Sequence, residues 1–303
     1  MSDAIRLEAR RPVGDEARRV RDAIEAATTA DGTPPLSEQA ERAVDSPRDD
    51  EHLLALDGEH LVGYATLSPA RGDAPVMVEA VVHPDHRGRG VGTALVDRAL
   101  AAPGARVWAH GRLPAADRIA EKVGLEVVRE LLQMRRPLGG PDAAPLPELT
   151  VPDGITVRTY RESDDAEILR VNNAAFSWHP EQGGWTQAEI DERRAESWFD
   201  PAGLFVATST DDPDTVLGFH WTKVHPPTGD DPELGEVYVV GIDPAAQGRG
   251  LGRTLTLAGL RYLADRGLAG VLLYVESDNT AAVHTYDRLG FTTFHVDAAF
   301  ARV

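Results

Sequence analysis

The chain has 303 residues, a formal net charge of −18 at pH 7, 42% hydrophobic content and no cysteine, the profile of a globular chain long enough for two domains of ordinary size. The missing cysteines exclude disulfides, thiolate metal sites and a cysteine acyl-enzyme, and the negative charge repels nucleic acid at long range. No apolar run approaches the roughly 18 residues of a membrane span, and Met1-Ser2-Asp3-Ala4 lacks the basic and apolar regions of a signal peptide, so a cytoplasmic monomer with no nucleic-acid and no membrane partner is expected.

In chain order, a short strand at residues 5–7 leads into a helix whose stripe runs through Val20, Ile24 and Ala27. Residues 53–56 and 61–65 flank Asp57-Gly58 and predict a hairpin. A fourth strand at 76–82, a glycine-rich loop, a helix, a fifth strand at 106–108, a helix at 116–123 and a closing strand follow. The plan then repeats: a strand at 155–157, a helical stripe through Ile168, Val171, Ala175 and Phe176, a hairpin at 204–207 and 216–221, and a strand at 236–242. A second glycine loop, a strand at 271–275, a helix at 281–289 and a last strand complete it. Between the repeats, Pro137, Pro141, Pro145, Pro147 and Pro152 predict an extended segment unable to join a sheet. The expected division is therefore an N-terminal domain at 1–138, a Pro-rich linker at 139–153 and a C-terminal domain at 154–303.

The loops carry the chemistry. His83-Pro84-Asp85-His86-Arg87-Gly88-Arg89-Gly90-Val91-Gly92 recurs 160 residues later as Asp243-Pro244-Ala245-Ala246-Gln247-Gly248-Arg249-Gly250-Leu251-Gly252. Glycines allow a tight turn and close backbone approach, and the following helix adds positive potential. Gln247, Gly248, Arg249, Gly250, Leu251, Gly252 and Arg253 can cradle a diphosphate, as can Gly88, Arg89, Gly90, Val91, Gly92 and Thr93. The plainer alternative is a turn without a ligand. The spacing is neither that of a dinucleotide fingerprint nor that of a Walker loop.

This pattern, Arg/Gln-x-x-Gly-x-Gly/Ala late in each repeat, resembles the pyrophosphate loop of the GNAT acetyltransferases. The resemblance implies an α/β fold of two tandem GNAT domains, each a mixed, splayed central sheet flanked by helices, with acetyl-CoA as co-substrate and no metal. It implies that Val240, Gly241 and Ile242, and in the first half Ala80, Val81 and Val82, pair with the pantetheine arm through their backbone. It also places Asn279-Thr280-Ala281-Ala282-Val283-His284 against the cofactor, although Asn279 reads equally as a helix cap.

The halves differ. Glu236 faces Val76 at the offset of 160, while Tyr286 faces Ala120 and Asn279 faces Leu113 once Gly290 is matched to Gly124. Acetyl transfer to an amine needs a base for the ammonium proton and an acid for the leaving thiolate. Glu236 and Tyr286 suit those roles, and Val76 and Ala120 do not, so catalysis is expected in the second half alone. Taken singly, Glu236 could be a solvated strand-end carboxylate and Tyr286 a core tyrosine.

Further stretches are similar to one GNAT subfamily, the mycothiol synthases: residues 108–111, 130–137, 171–176, 179–185, 218–226, 235–239 and 273–279. That resemblance implies N-acetylation of a small-molecule thiol pseudo-disaccharide, Cys-GlcN-Ins, held by Glu38, Glu181, Lys223, Glu236 and Tyr274, with Glu236 as base and Tyr286 as acid. The connection from Arg261 to Val271 is shorter than in the subfamily and reads as a trimmed surface loop. Another amine acceptor, or an acetyl-CoA-binding protein without catalysis, are the competing functions. His179, His220 and His225 lack zinc spacing, so no metal is expected.

Overall fold

The computed structural model describes residues 5–45, 49–70, 75–141, 143–177, 182–227 and 232–303. Its contacts divide the chain into two units, Met1–Leu131 with His295–Val303, and Leu132–Phe294.

In the first unit, β1 (Arg6–Ala9), β2 (Glu51–Asp57), β3 (His60–Ser68) and β4 (Met77–Val82) pair antiparallel in sequence order. β4 then runs parallel to β5 (Arg106–Ala109) at only two positions, Met77 with Arg106 and Val78 with Val107. Helices cover both faces, which explains the unbroken apolar run in β2. Leu53 and Ala55 join the core under α3 (Val91–Ala99), whereas Leu54 and Leu56 meet α1 (Asp15–Asp31) and α2 (Glu38–Asp45). α1 buries Ala17, Val20, Ala23, Ile24 and Ala27 and stops at Gly32, whose φ of 71° allows its N–H to cap Thr28 O. α4 (Pro114–Val123) completes the layer, and β6 (Glu126–Pro137) leaves the unit.

The second unit repeats the plan with β7 (Ile155–Thr159), α5 (Asp165–Ala175), α6 (Gln187–Ala195), β8 (Leu204–Ser209), β9 (Val216–His225) and β10 (Leu234–Ile242). α7 (Leu251–Asp265), β11 (Gly270–Glu276), α8 (Thr280–Arg288) and β12 (Thr292–Ala301) follow. Here β10 pairs along its length with antiparallel β9, but with parallel β11 only at Leu234, Gly235 and Glu236. Both units thus have the mixed, splayed sheet flanked by helices that the repeated pattern implied.

The closing strands follow the packing rather than the order of the halves. Met134, near the end of β6, joins the core of the second unit. Ala298 and Phe300, near the end of β12, join the core of the first, where β12 pairs antiparallel with β5.

The Pro-rich segment needs one correction: Pro137 is the last residue of β6 and so lies in a strand, at an end where a missing N–H is tolerated. The segment beyond it is fastened to the second unit. Leu138 N and Gly139 N both donate to Ala269 O, at 2.9 and 3.2 Å. Arg261 donates to Pro147 O at 2.7 Å, Thr254 to Thr150 O at 3.1 Å, and Leu146 and Leu149 pack on the core.

Candidate active site

Once β10 parts from β11 beyond Glu236, its edge from Val237 to Ile242 has no strand partner on that side among the described residues. The backbone N–H and C=O groups of that edge, including Val240 and Ile242, are left for an extended, amide-bearing ligand. The strand ends at Ile242, and the next residue is Asp243, whose carboxylate accepts from Ala245 N at 2.8 Å and pairs with Arg170. Gly248 and Gly250 then take φ values of 77° and 79°, backbone that any side chain would strain. Gly250 is the N-cap of α7, so the free N–H groups of Leu251, Gly252 and Arg253 open toward the loop. Gln247, Arg249 and Arg253 are exposed, and neither arginine makes an ion pair among the described residues. Asn279 caps α8, accepting from Ala282 N at 3.2 Å. Ala282 and Val283 pack on the core, and Thr280, Ala281 and His284 stay at the surface. This donor set fits a diphosphate joined to a pantetheine arm.

The first unit builds the same cradle with different electrostatics. β4 leaves β5 after Val78, and Gly88 and Gly90 have φ of 75° and 85°. Arg87 is held by Asp31 through two hydrogen bonds of 2.7 Å, and Arg89 lies 3.9 Å from Asp57. A cavity of about 780 Å³ fills the splay, bounded by Ala80, Val82, Gly92, Thr93, Ala120 and Phe300.

Glu236 is buried, at 7% exposure, and its Oε2 lies 2.6 Å from His225 Nε2. The ladder corrects its counterpart in the first half. Ile242 opposite Gly218 matches Val82 opposite Gly63, but Tyr238 is an extra, bulged residue in β10. Glu236, opposite Lys223, therefore corresponds to Met77, opposite Ser68, and not to Val76. Two residues along that face of β4 sits a carboxylate that the offset concealed. Glu79, buried at 9% exposure, accepts from Ser37 Oγ at 2.8 Å and lies 2.9 Å from His110 Nε2. Burial opposes the charge on His110, but hydrogen bonds to Asp297 and Glu79 outweigh it and raise the imidazole to about 9.

Tyr286 lies half-buried on α8, its ring edge-on to Phe291 at 5.7 Å. Its hydroxyl has no hydrogen-bond partner among the described residues, and burial pushes the phenol up to about 12. It is therefore protonated at neutral pH and able to act as an acid.

Lys223 projects from β9 with its ammonium 5.1 Å from the Trp198 ring and 5.4 Å from the Tyr238 ring. These faces hold the cation without a carboxylate partner among the described residues. Lys223 and His225 line an open cavity of about 700 Å³ with Glu196 and Glu233. Tyr274, on β11, is 49% exposed, and its hydroxyl accepts from Gln133 Nε2 at 2.7 Å. Glu181 lies outside the described residues, but the chain just after it is anchored. Asn172 donates to Gln182 O at 2.8 Å, and Asn173 exchanges two hydrogen bonds with the backbone of Trp185. Glu38 opens α2 in the first unit, exposed and ion-paired with Arg42.

The hydrogen bond between His225 and Glu236 is the contact of the candidate site that sequence reasoning missed. The spacing of His225 from Lys223 puts both on one face of β9, but nothing local names the carboxylate opposite. His220, in contrast, is a core residue. Its Nδ1 lies 2.9 Å from Leu255 O, and burial pushes the imidazole down to about 4.

The chain matches the acetyltransferase (GNAT) family over residues 18–124 and again over 170–291. It is 63% identical to a mycothiol acetyltransferase of Rhodococcus erythropolis, over 96% of this chain and 97% of that one. It is 64% identical to a mycothiol acetyltransferase of Nocardia farcinica, over 95% and 94% of the two chains. A solved GCN5-related N-acetyltransferase from Sphaerobacter thermophilus shares its architecture with a TM-score of 0.70 at 26% identity, over 97% of this chain and 94% of that one. A tandem GNAT protein from the clavulanic acid biosynthesis pathway shares the fold at a TM-score of 0.65 and 16% identity, over 98% of both. With its two splayed units, twin glycine cradles and these relatives, the chain belongs to the GNAT acetyltransferase family, among the mycothiol acetyltransferases.

Proposed function

We propose that the protein transfers the acetyl group of acetyl-CoA to the cysteinyl amine of Cys-GlcN-Ins, giving mycothiol, by direct attack in a ternary complex. The observation that carries this reading is the placement of buried Glu236 where β10 parts from β11, on the strand that leads into a cradle whose arginines make no ion pair among the described residues. The 63% and 64% identity to mycothiol acetyltransferases supports this acceptor.

In this mechanism the loop 247–253 and the helix end at 279–284 hold the diphosphate end of acetyl-CoA, and the open edge of β10 holds its pantetheine arm. Glu236 takes the proton of the acceptor ammonium, whose pKa as an α-amine is about 7.7–8.0. The amine lone pair forms the C–N bond at the thioester carbon, the C–S bond breaks as Tyr286 gives its proton to the leaving sulfur, and the second N–H proton, lost as the amide forms, returns Tyr286 to the phenol. Lys223, Tyr274 and Glu181 suit the hydroxyls and amide of the acceptor. Because the acceptor also carries a thiol, selection of nitrogen comes from placing the amine at the thioester carbon.

The first half, read as a domain at 1–138 joined through 139–153 to a catalytic domain at 154–303, binds acetyl-CoA without turning it over. Met77 offers no proton acceptor at the base position, and Ala120 no donor at the acid position. We read the protein as a cytoplasmic monomer with no nucleic-acid or membrane partner, and the net charge of −18 supports the exclusion of nucleic acid.

The test is CoA release from acetyl-CoA with Cys-GlcN-Ins, corrected for the acceptor thiol, beside aminoglycosides and peptide N-termini. Turnover with Cys-GlcN-Ins and with no other amine supports the reading. Turnover only with another amine replaces the acceptor.

A further inference from the structure

Acetylation of an ammonium yields amide, thiol and one free proton: R–NH₃⁺ + CH₃CO–SCoA → R–NH–COCH₃ + HSCoA + H⁺. On the reading of Glu236 as base, that proton comes to rest on a carboxylate whose side chain is only 9% exposed. It has to reach water before the next turnover.

We propose that His225 is the exit for this proton, relaying it from Glu236 to the open cavity beside β9. The inference rests on the base reading of Glu236 and on the geometry around it. Glu236 faces Lys223 across the β9–β10 ladder, and His225 is two residues further along β9. The two side chains are thus diagonal neighbours on one face, within reach of each other, and Nε2 lies 2.6 Å from Oε2. His225 is the one side chain that Glu236 hydrogen-bonds among the described residues.

The imidazole spans the step from buried to wet. Its side chain is 34% exposed against 9% for Glu236, and it lines the open cavity of about 700 Å³. Its second nitrogen, Nδ1, has no protein partner among the described residues. The first unit shows the contrasting arrangement. His110 also meets a buried strand carboxylate, Glu79, but its Nδ1 lies 3.6 Å from Asp297, so the ring is closed by carboxylates on both sides. His110 is a clasp, and His225 has an open end.

The transfer balances simply. Protonated Glu236 gives its proton to Nε2 of the Nδ1–H tautomer of His225, and the imidazolium so formed gives Nδ1–H to water. Carboxylate and neutral imidazole are regenerated. His225 is a positioning and relay residue that acts through Glu236.

The experiment uses the full chain with acetyl-CoA and Cys-GlcN-Ins, and compares His225→Ala and His225→Asn with Glu236→Gln. Both His225 variants are expected to lose about tenfold or more in kcat, with KM for both substrates within twofold. Added imidazole and other small buffer bases restore the rate of the variants, more strongly for the stronger base, and leave the wild-type rate unchanged. A structural role would not make the rate follow buffer basicity. Full kcat in both variants, or a loss that no buffer base repairs, overturns the relay while an inactive Glu236→Gln enzyme keeps the base reading. A fully active Glu236→Gln enzyme overturns the base reading itself and removes the donor of the relay.

Discussion

Tyr286 and Ala120 hold the same position in equivalent helices: Phe291 N donates to Tyr286 O at 3.1 Å, and Leu125 N donates to Ala120 O at 2.9 Å. Each contact closes a helix that ends at a glycine of positive φ, Gly290 at 84° and Gly124 at 71°. In the second unit that turn presents a phenol. In the first it presents a methyl group beside a cavity of about 780 Å³.

Filling that space should remove the first cradle without touching turnover. Ala120→Phe is expected to lower the acetyl-CoA stoichiometry in titration calorimetry from two sites to one, with kcat unchanged. Two sites in the variant would show that the cavity is not where the first-half ligand lies.

The second loop, whose arginines make no ion pair among the described residues, predicts a different signature. A charge-assisted hydrogen bond contributes about 1.5 kcal/mol or more, so Arg249→Ala and Arg253→Ala should each raise KM for acetyl-CoA by roughly tenfold and leave KM for the acceptor alone. Gly250→Ala acts through the backbone, because φ of 79° strains any Cβ by about 1 kcal/mol. Steady-state kinetics with each substrate varied separately check all three.

The clasp of His110 predicts a pH dependence of stability rather than of rate. Its folded pKa, about 9, stands above the ordinary 6.5. Its contribution is thus complete below about 6.5 and is lost as pH rises through about 9. The difference corresponds to on the order of 3 kcal/mol. Thermal unfolding of the wild type should weaken across that window, and His110→Gln should be less stable at pH 6 and show a flatter profile up to pH 9. Parallel profiles would contradict the clasp.

Much of this architecture is readable from residues alone, because glycines punctuate it and apolar runs of strand length stand between them. The two loops announce themselves, and β2 with β3, and β8 with β9, follow from their turns. What stayed hidden depends on pairing across strands. The bulge at Tyr238 leaves the loop offset of 160 intact, so Glu236 aligns with Val76 on paper and with Met77 in the sheet. Glu79 looks like an isolated acid inside an apolar strand until Ser37 and His110 arrive from elsewhere. α2 is eight residues long and buries only Ala40, Ala43 and Val44, too faint an apolar stripe to read. The ends of β6 and β12 are ordinary strand sequence, and only packing assigns each to its unit.

The central claim is that one half of a duplicated cradle moves protons and the other does not. Its most direct test is the turnover of Cys-GlcN-Ins by Glu236→Gln and Tyr286→Phe beside Met77→Leu and Ala120→Ser, all in the full chain. The first pair should each lose about 10²–10⁴-fold in kcat, and the second pair should stay within twofold of wild type. Comparable losses in both pairs, or none in the first, would contradict it.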